Sequence, residues 1–372
     1  MSGEVSSSGL EGIEVARTRL SHVDGEAGVL VIGGLHVDAL VERGGFEDAC
    51  ALLWDGAWPS PARREEVRAA LAAGRAEAFE LLPGVGDALR QPDGMDALRT
   101  CVAHLRPTGD DRKDLARVTG AMATFAAAWD RARRGLPPVA PDGARGHAED
   151  FLRMVIGADP PKAAARGLDA YLTAVVDHGL NASTFTARVV TSTGSDLVSA
   201  LVAAVGALKG PLHGGAPGPV LDMLDAVGDP SAAGAWLEKE LAAKRRIMGM
   251  GHRIYRVRDP RALVLEHAVE QLERAGMATT RLALARAVER AAVGALAARY
   301  PDRPLRANVE FYTAVLLDAV GFSRQLFSPT FAASRSAGWG AHVLEQRQSG
   351  KLIRPSSTYV GPVPAEGMVP AA

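Results

Sequence analysis

The chain has 372 residues, of which 47% are hydrophobic, so it can bury either one large core or two lobes that share a core. Its 42 basic and 43 acidic residues give a formal net charge of -1, which excludes an overall field that would attract nucleic acid or an anionic membrane. Any anionic ligand must therefore be held by a local cluster of cations.

The cysteines and the N-terminal segment restrict the class of protein further. Cys50 and Cys101 have no metal or redox spacing, and two thiols in so long a chain are not a disulfide framework. The N-terminus "MSGEVSSSGLEG" lacks the charged and apolar regions of a signal peptide, and the longest uncharged apolar run, 197–208, is too short to span a bilayer. We therefore expect a soluble cytoplasmic protein without a nucleic-acid or membrane partner.

Strand signals lie near the two ends of the chain. In "IEVARTRLSHVDGEAGVLVIGG", β-branched residues flank Asp24 and Gly25, a dipeptide that is typical of a hairpin turn. The segment "STYVGP" (357–362) is compatible with a further edge strand. Both segments are short, so we expect any sheet to be peripheral.

The remainder of the chain is rich in Ala, Leu, Arg and Glu, with apolar residues three and four apart, which predicts helices. The proline-rich segment 134–147 predicts an exposed connection. In chain order, the predicted helices are 46–54, 61–79, 95–105, 112–133, 163–176, 183–208, 217–224, 230–244, 260–275, 281–300, 309–320 and 334–348. The fold class is therefore all-α with a small N-terminal β-hairpin.

Three histidines share one kind of setting. His178 in "DHGLNAS", His213 in "PLHGG" and His252 in "GMGHRIYRVRDPR" each lie beside glycine at a break between predicted helices. Glycine at such a break indicates a tight turn or the close approach of another backbone or a ligand. His213 also precedes a predicted helix and would lie near its N-terminus. The repeated setting favours one common site over separate loop histidines.

A zinc site is the first alternative, because Asp177 and Glu310 could join the histidines as ligands. However, no two of these histidines have the spacing of the HExxH motif, and none pairs with a cysteine at ligand spacing. We therefore predict no metal.

Positive charge is concentrated between Lys244 and Arg261, where Asp259 is the single acidic residue. Such a run is usually a solvated helix face, but here "MGMGH" interrupts it, and Gly249 and Gly251 would leave backbone N–H groups for a ligand. Arginines and backbone donors could then converge on phosphate or carboxylate. The segment is not a dinucleotide fingerprint, since Ile254 takes the third glycine position and no strand precedes it.

Glu310, Arg335 and Arg354 are unremarkable by themselves. Asn308 is a good N-cap, so Glu310 in the first helical turn would favourably face the helix dipole. Lone arginines are usually surface residues. Any role for these side chains depends on the surrounding motifs.

Taken in order, the motifs resemble the citrate synthase family in its shorter bacterial form, which includes 2-methylcitrate synthases. The likeness begins at "GLEGIEVARTRLSHVDGE" (9–26) and ends near Pro362. Its motifs are "DHGLNASTFTARVV", "GALKGPLHGGAP", "MGMGHRIYRVRDPRA", "NVEFYTAVLLDAVG", "SRSAGWGAHVLEQ" and "IRPSSTYVGP". The resemblance implies an all-α homodimer with a large domain of residues 1–214 and 322–372, and a small, coenzyme A-binding domain of residues 215–321 that closes over a cleft.

The resemblance also implies residue roles. His213 matches the histidine that stabilises the enol of acetyl-CoA, His252 matches the one that binds and protonates the ketone of oxaloacetate, and Glu310 occupies the position of the proton-accepting carboxylate. The further oxaloacetate ligands would be His178, Arg261, Arg335 and, reaching across the dimer, Arg354. The coenzyme A region would comprise Arg256 and the backbone of Met248, Gly249, Met250 and Gly251. No cofactor is implied, because acetyl-CoA is a substrate.

Two positions depart from the family pattern. Most members have aspartate where this chain has Glu310, although some members resemble it in having glutamate. Both carboxylates have unperturbed pKa values near 4, so the proton-accepting chemistry is retained, whereas the extra methylene lengthens the reach by roughly 1.5 Å. Ser356 replaces a second arginine that many members have after "RP", which affects a peripheral anion contact.

The expected reaction condenses acetyl-CoA with oxaloacetate and water to give citrate and coenzyme A through an enol. One alternative is a 2-methylcitrate synthase that uses propionyl-CoA, since one methylene provides limited discrimination. Another is a non-catalytic helical protein that retains the anion sites but has lost turnover. Release of thiol from the two acyl-CoA substrates separates these alternatives.

Overall fold

The computed structural model describes residues 13–213, 217–252, 254–277, 280–302 and 304–362. Fifteen α-helices form most of this part of the chain. They are α1 (Val37–Arg43), α2 (Phe46–Asp55), α3 (Pro61–Leu81), α4 (Gly94–Val102), α5 (Asp111–Arg133), α6 (His147–Ile156), α7 (Lys162–Ala174), α8 (Ala182–Ser192), α9 (Leu197–Leu208), α10 (Pro217–Val227), α11 (Ala233–Ala242), α12 (Pro260–Arg274), α13 (Thr280–Arg299), α14 (Val309–Ala319) and α15 (Phe327–Ser349). The all-α prediction is confirmed.

The N-terminal hairpin is also confirmed. Strands β1 (Ser21–Asp24) and β2 (Val29–Ile32) pair antiparallel, and the short β3 (Leu35–His36) pairs with β2. The expected edge strand at 357–362 is wrong, because these residues form no strand. Pro355 and Pro362 lack the N–H that a strand ladder requires, and Val360 is 93% exposed, with no sheet to pack against.

The main errors in the helix prediction lie at breaks. The predicted helix 183–208 is two helices, because Gly194 adopts a left-handed φ of 88° and Asp196 caps α9 by accepting from the Ser199 N–H at 2.8 Å. The short helices α1 and α6 were not predicted, and α15 begins at Phe327 rather than at 334. The residues that start or end a helix give a weaker signal in the sequence than the apolar periodicity on either side of them.

The core is built around two long helices. Helix α5 packs against α3 and α15, and α15 also packs against α8 and α9. Buried aromatic side chains, including Trp129 and Trp339, fill the spaces between them. Within the described residues, no helix is long and apolar enough to cross a membrane.

Four helices fix the position of the candidate site. Helix α7 packs against α12, α14 and α15, and α12 packs against α14. Arg261 lies at the start of α12, Glu310 at the start of α14 and Arg335 within α15, while His178 follows the end of α7. Packing of these helices therefore brings together residues that are more than 150 positions apart in the chain.

Candidate active site

His178 lies in a buried loop between α7 and α8. Its Nε2 is 3.1 Å from the Tyr255 hydroxyl, and the ring packs edge-on against the ring of His252 with centroids 5.7 Å apart. Burial lowers the pKa of His178 well below its ordinary value, and Arg261, Arg335 and His252 lower it further. The imidazole is therefore neutral.

His252 is held in one tautomer by the backbone that follows it. Its Nδ1 accepts from the N–H groups of Ile254 at 3.0 Å and Tyr255 at 3.1 Å, so the ring proton lies on Nε2. Burial lowers the pKa of His252 to about 4, with Arg261 acting in the same direction and Asp259 opposing. The ring is thus a neutral Nε2–H donor.

His213 is oriented from the start of α8. The Ser183 N–H donates to His213 Nε2 at 3.3 Å, and the Ser183 hydroxyl lies 2.8 Å from the same nitrogen. This arrangement leaves the ring proton on Nδ1. The pKa of His213 is lowered to about 4, mainly by burial, with Arg335 acting in the same direction. The residues 214–216 that would join His213 to α10 lie outside the described ranges.

Arg261 and Arg335 supply buried positive charge. Arg261 donates from Nε and Nη2 to the two carboxylate oxygens of Asp259, at 3.0 and 2.7 Å. Arg335 donates from Nε to the Val175 carbonyl at 2.8 Å. Its Nη2 is buried and has no hydrogen-bond partner among the described residues, and burial lowers the pKa of Arg335 to about 10. A buried guanidinium nitrogen without a partner points to an anionic ligand.

Glu310 is joined to the His252 loop by its helix cap. The Asn308 side chain accepts from the Glu310 N–H at 3.0 Å and donates to the Gly251 carbonyl at 2.9 Å. The Asn308 N–H donates to the Gly249 carbonyl at 2.9 Å. Gly249 has φ 73°, and a Cβ there would lie 2.8 Å from the ring of Phe311, so only glycine allows this approach.

The carboxylate of Glu310 has the proton affinity of a base that works near neutral pH. Its pKa is raised to about 7, mainly by burial; Arg261 and Arg335 oppose this shift, and Asp259 acts in the same direction as burial. Part of the residue remains accessible, yet the surrounding protein removes enough water to favour the neutral acid. Arg261 also acts on His178 and His252, and Arg335 acts on His178 and His213, so these groups share one electrostatic environment.

The structure differs in part from what was expected of the proposed coenzyme A segment, which comprises Arg256 and residues 248–251. Arg256 is exposed, with Nε 3.8 Å from the Glu26 carboxylate, as expected of a cation that can meet a ligand. The expectation that glycine N–H groups are open is wrong for Gly251, whose N–H donates to the Arg306 carbonyl at 2.7 Å. This pairing arises because Met250 and Ala307 form an isolated β-bridge.

Some arginines of the basic run between Lys244 and Arg261 form ion pairs, so less of its positive charge is free than the sequence indicated. Arg245 pairs with Glu240, and Arg258 pairs with Glu266 and Glu289 at 2.7 and 2.8 Å. The acidic partners lie on α11, α12 and α13, and the proximity of Glu289 to Arg258, 31 positions away, was not visible in the local sequence. Arg253 lies outside the described residues.

Arg354 is not part of the cluster in its own protomer. It is exposed in the segment after α15, and it is not a leading cause of the pKa shifts of His178, His213, His252 or Glu310. In the described part of the chain, no three or more His, Cys, Asp or Glu side chains are grouped to hold a metal ion.

Sequence reasoning missed several supporting residues. Tyr255 is 2% exposed and its ring lies 4.8 Å from that of His252 and 5.6 Å from that of His178. Ser183 orients His213 and accepts from Trp339 Nε1 at 3.1 Å. The motifs "DHGLNAS" and "GHRIY" contain Ser183 and Tyr255, but nothing in their local pattern indicates that these residues contact the imidazoles of the site.

The fold and this geometry define an all-α enzyme whose site combines a carboxylate with a raised pKa, neutral imidazoles and buried guanidinium groups. Comparisons with known proteins identify the family. The family described as "Citrate synthase, C-terminal domain" matches residues 9–356. Because this match covers most of the chain, the chain belongs to the citrate synthase family.

The relatives include two named activities. The chain is 38% identical to citrate synthase of Haloferax volcanii, over 97% of each protein, and 37% identical to 2-methylcitrate synthase of Mycobacterium tuberculosis, over 95% of this chain and 90% of the relative. Among solved structures, it is similar to citrate synthase of Thermoplasma acidophilum in ternary complex with carboxymethyl coenzyme A and oxaloacetate. The TM-score is 0.85 and the identity 26%, with 97% of each chain covered.

Proposed function

We propose that the chain condenses acetyl-CoA with oxaloacetate and water, giving citrate and coenzyme A. The observation that carries the proposal is Glu310, a carboxylate with a pKa raised to about 7 that lies beside buried Arg261 and Arg335 and is tied through Asn308 to the His252 loop. A carboxylate of this kind can accept a proton at neutral pH while cations nearby hold an anionic co-substrate.

The first step would be removal of a methyl proton from acetyl-CoA by Glu310. A thioester methyl is a very weak acid, so the developing enolate oxygen must be stabilised at the same moment. The Nδ1–H of neutral His213 is a suitable donor, because Ser183 occupies Nε2. Loss of such a donor typically costs on the order of a hundredfold to a thousandfold in rate.

The second step would be attack of the enol carbon on the ketone of oxaloacetate. The Nε2–H of His252 would polarise the ketone oxygen and transfer its proton to it as the new carbon–carbon bond forms, and the proton that Glu310 took from the methyl group balances the one that His252 gives up. The unpartnered Nη2 of Arg335, the remaining nitrogen of Arg261 and the imidazole of His178 would hold the carboxylates. Water would then cleave the citryl thioester and release coenzyme A.

The quaternary structure belongs to the same proposal. We infer a cytoplasmic homodimer in which Arg354, exposed after α15, enters the oxaloacetate site of the partner. We also infer a large domain of residues 1–214 and 322–372 and a small domain of residues 215–321. The packing of α10, α11 and α12 against α13 supports the small domain as a unit, and its closure would exclude water from the enol.

The second candidate is synthesis of 2-methylcitrate from propionyl-CoA, which the Mycobacterium tuberculosis relative supports. One methylene changes transition-state binding by only about 1 to 3 kcal/mol, so one site can use both substrates. The ratio of kcat/KM for the two thioesters decides which reaction dominates.

The experiment is a thiol-release assay with oxaloacetate and either acetyl-CoA or propionyl-CoA. We expect release from acetyl-CoA that depends strictly on oxaloacetate, with citrate identified as the product. A preference for propionyl-CoA would assign the second candidate. No release from either thioester, by protein that still binds oxaloacetate, would instead indicate a binding protein without turnover.

A further inference from the structure

Helix α15 carries a line of buried polar side chains. Arg335, Trp339, His342 and Gln346 are four, three and four residues apart, so they lie along one face of the helix. Each is at most 5% exposed. Because an unpaired buried polar group is costly, the partners of these side chains show what the line connects.

His342 is bonded on both sides of its ring. Arg188 donates from Nη1 to His342 Nδ1 at 2.9 Å, and arginine has no acceptor, so Nδ1 is unprotonated. The ring proton therefore lies on Nε2, which is 3.3 Å from each carboxylate oxygen of Asp177. His342 is thus a neutral imidazole that donates to the residue preceding His178.

Asp177 in turn fixes the loop around His178. The Ser21 hydroxyl on β1 donates to Asp177 Oδ2, and Ser21 Oγ accepts from the Gly179 N–H at 2.7 Å. On the opposite side, a Cβ at Gly338 of α15 would lie 2.3 Å from the Val176 carbonyl, so glycine allows the helix to contact the loop directly. The backbone on both sides of His178 is therefore held against α15.

The other end of the line reaches the C-terminal segment. Arg188 is 2% exposed and donates from Nε to Gln346 Oε1 at 3.1 Å. Gln346 donates from Nε2 to the Lys351 carbonyl at 3.1 Å. Lys351 opens the segment that carries Arg354, and the Ile353 N–H donates to Ser192 Oγ at 3.0 Å on the same helix as Arg188.

We propose that Asp177, His342, Arg188 and Gln346 form a positioning chain with two effects: it fixes the His178 loop in its own protomer, and it directs Arg354 toward the site of the partner protomer. The second effect rests on the proposed dimer. None of the four residues touches substrate in this assignment; each acts through His178 or Arg354.

The first effect is tested with a matched pair of variants at one position. His342→Gln keeps a donor that can reach Asp177, whereas His342→Asn keeps an acceptor for Arg188 but is too short to reach Asp177. We expect His342→Asn to raise KM for oxaloacetate about tenfold, with kcat and KM for acetyl-CoA within about twofold of wild type. His342→Gln should restore KM to within about threefold. Equal defects in the two variants would mean that His342 serves packing alone.

The second effect is tested at Gln346. Gln346→Met keeps the side-chain length but loses the bonds to Arg188 and to Lys351. We expect a five- to tenfold rise in KM for oxaloacetate, because Arg354 is displaced from the partner site. Gln348→Met is the control, since Gln348 is exposed on the same helix and should give a KM within about twofold of wild type. An unchanged KM in Gln346→Met would overturn the second effect.

Hybrid dimers separate the two effects. In each hybrid, one protomer carries the variant and the other carries Arg335→Ala. The site of the Arg335→Ala protomer is inactive, so the site of the variant protomer does the work. That site receives Arg354 from the unaltered C-terminal segment of the Arg335→Ala protomer. We expect the Gln346→Met hybrid to recover the wild-type KM for oxaloacetate, and the His342→Asn hybrid to retain the raised KM. Recovery in the His342→Asn hybrid would overturn the first effect.

An Arg354→Ala hybrid with Arg335→Ala tests the dimer by itself. Recovery of KM there supports the crossing arginine, and failure overturns both that part of the proposed function and the second effect. If the Arg354→Ala hybrid recovers its KM and the Gln346→Met hybrid does not, the proposed dimer is retained and the second effect alone is overturned.

Discussion

At the scale of single residues, burial determines the protonation state of the site. His178, His213 and His252 have lowered pKa values, so they are neutral at pH 7, whereas Glu310 has its pKa raised to about 7. Neutral imidazoles can donate hydrogen bonds without repelling the buried arginines, and a carboxylate with this pKa binds a proton without holding it too strongly.

The pKa of Glu310 predicts the acid limb of the rate profile. Only the ionised carboxylate can accept the methyl proton, so kcat/KM for acetyl-CoA should fall tenfold per pH unit below about pH 7. The measurement is initial thiol release from pH 5 to 9 with saturating oxaloacetate. A profile that stays flat down to pH 5 would contradict the assignment.

The same carboxylate predicts a change in stability. Its folded pKa of about 7 exceeds the ordinary value of 4.5, so ionisation favours the unfolded chain above pH 4.5, and this penalty reaches its full size above about pH 7. Glu310→Gln should therefore raise the free energy of unfolding at pH 8 by on the order of 1–3 kcal/mol, and by much less at pH 4.5. Urea unfolding at both pH values measures the difference. An equal gain at both values would indicate a packing effect.

His213 and Arg335 should separate catalysis from binding. His213→Ala removes the enolate donor, so thiol release should fall about a hundredfold or more while oxaloacetate binding, measured by calorimetry, stays nearly intact. Arg335→Ala should weaken oxaloacetate binding itself, because its unpartnered Nη2 is lost. Equal loss of binding in the two variants would break the assignment of roles.

At the scale of elements, a single helix cap couples two parts of the site. Asn308 caps α14 through its carbonyl oxygen and holds the Gly251 carbonyl through its amide nitrogen. The start of α14 is thereby fixed relative to the loop that ends in His252. The N-cap was visible in the sequence, whereas the bond to Gly251 depends on the pairing of Met250 with Ala307.

Asn308→Ser should separate these two functions of the cap. Serine can still accept from the Glu310 N–H but cannot donate to Gly251, so we expect kcat to fall about tenfold with a loss of less than about 1 kcal/mol in the free energy of unfolding. Asn308→Ala should lose about 1 kcal/mol more, because it also removes the cap. Kinetics and urea unfolding of both variants test this, and a wild-type kcat in Asn308→Ser would refute the coupling.

At the scale of the whole molecule, the proposed domains predict closure. The proposed oxaloacetate ligands are divided between the two proposed domains, with Arg261 in the small one and His178 and Arg335 in the large one. Bound dicarboxylate should therefore draw them together and decrease the radius of gyration in solution scattering. Malate, which resembles oxaloacetate in charge, serves as a comparison ligand. An unchanged radius with saturating oxaloacetate would contradict closure.

The sequence by itself determined the helical class, the N-terminal hairpin and the family, and it predicted the site histidines and arginines, because periodicity, turn chemistry and ordered motifs are local in the chain. Helix breaks such as Gly194 to Asp196 depend on weak local signals that the stronger apolar pattern obscured. Only the tertiary structure decided the protonation of Glu310, the pairing of the basic run and the contacts of His342. Burial and contacts between distant segments arise only when the helices pack, and no local pattern contains them.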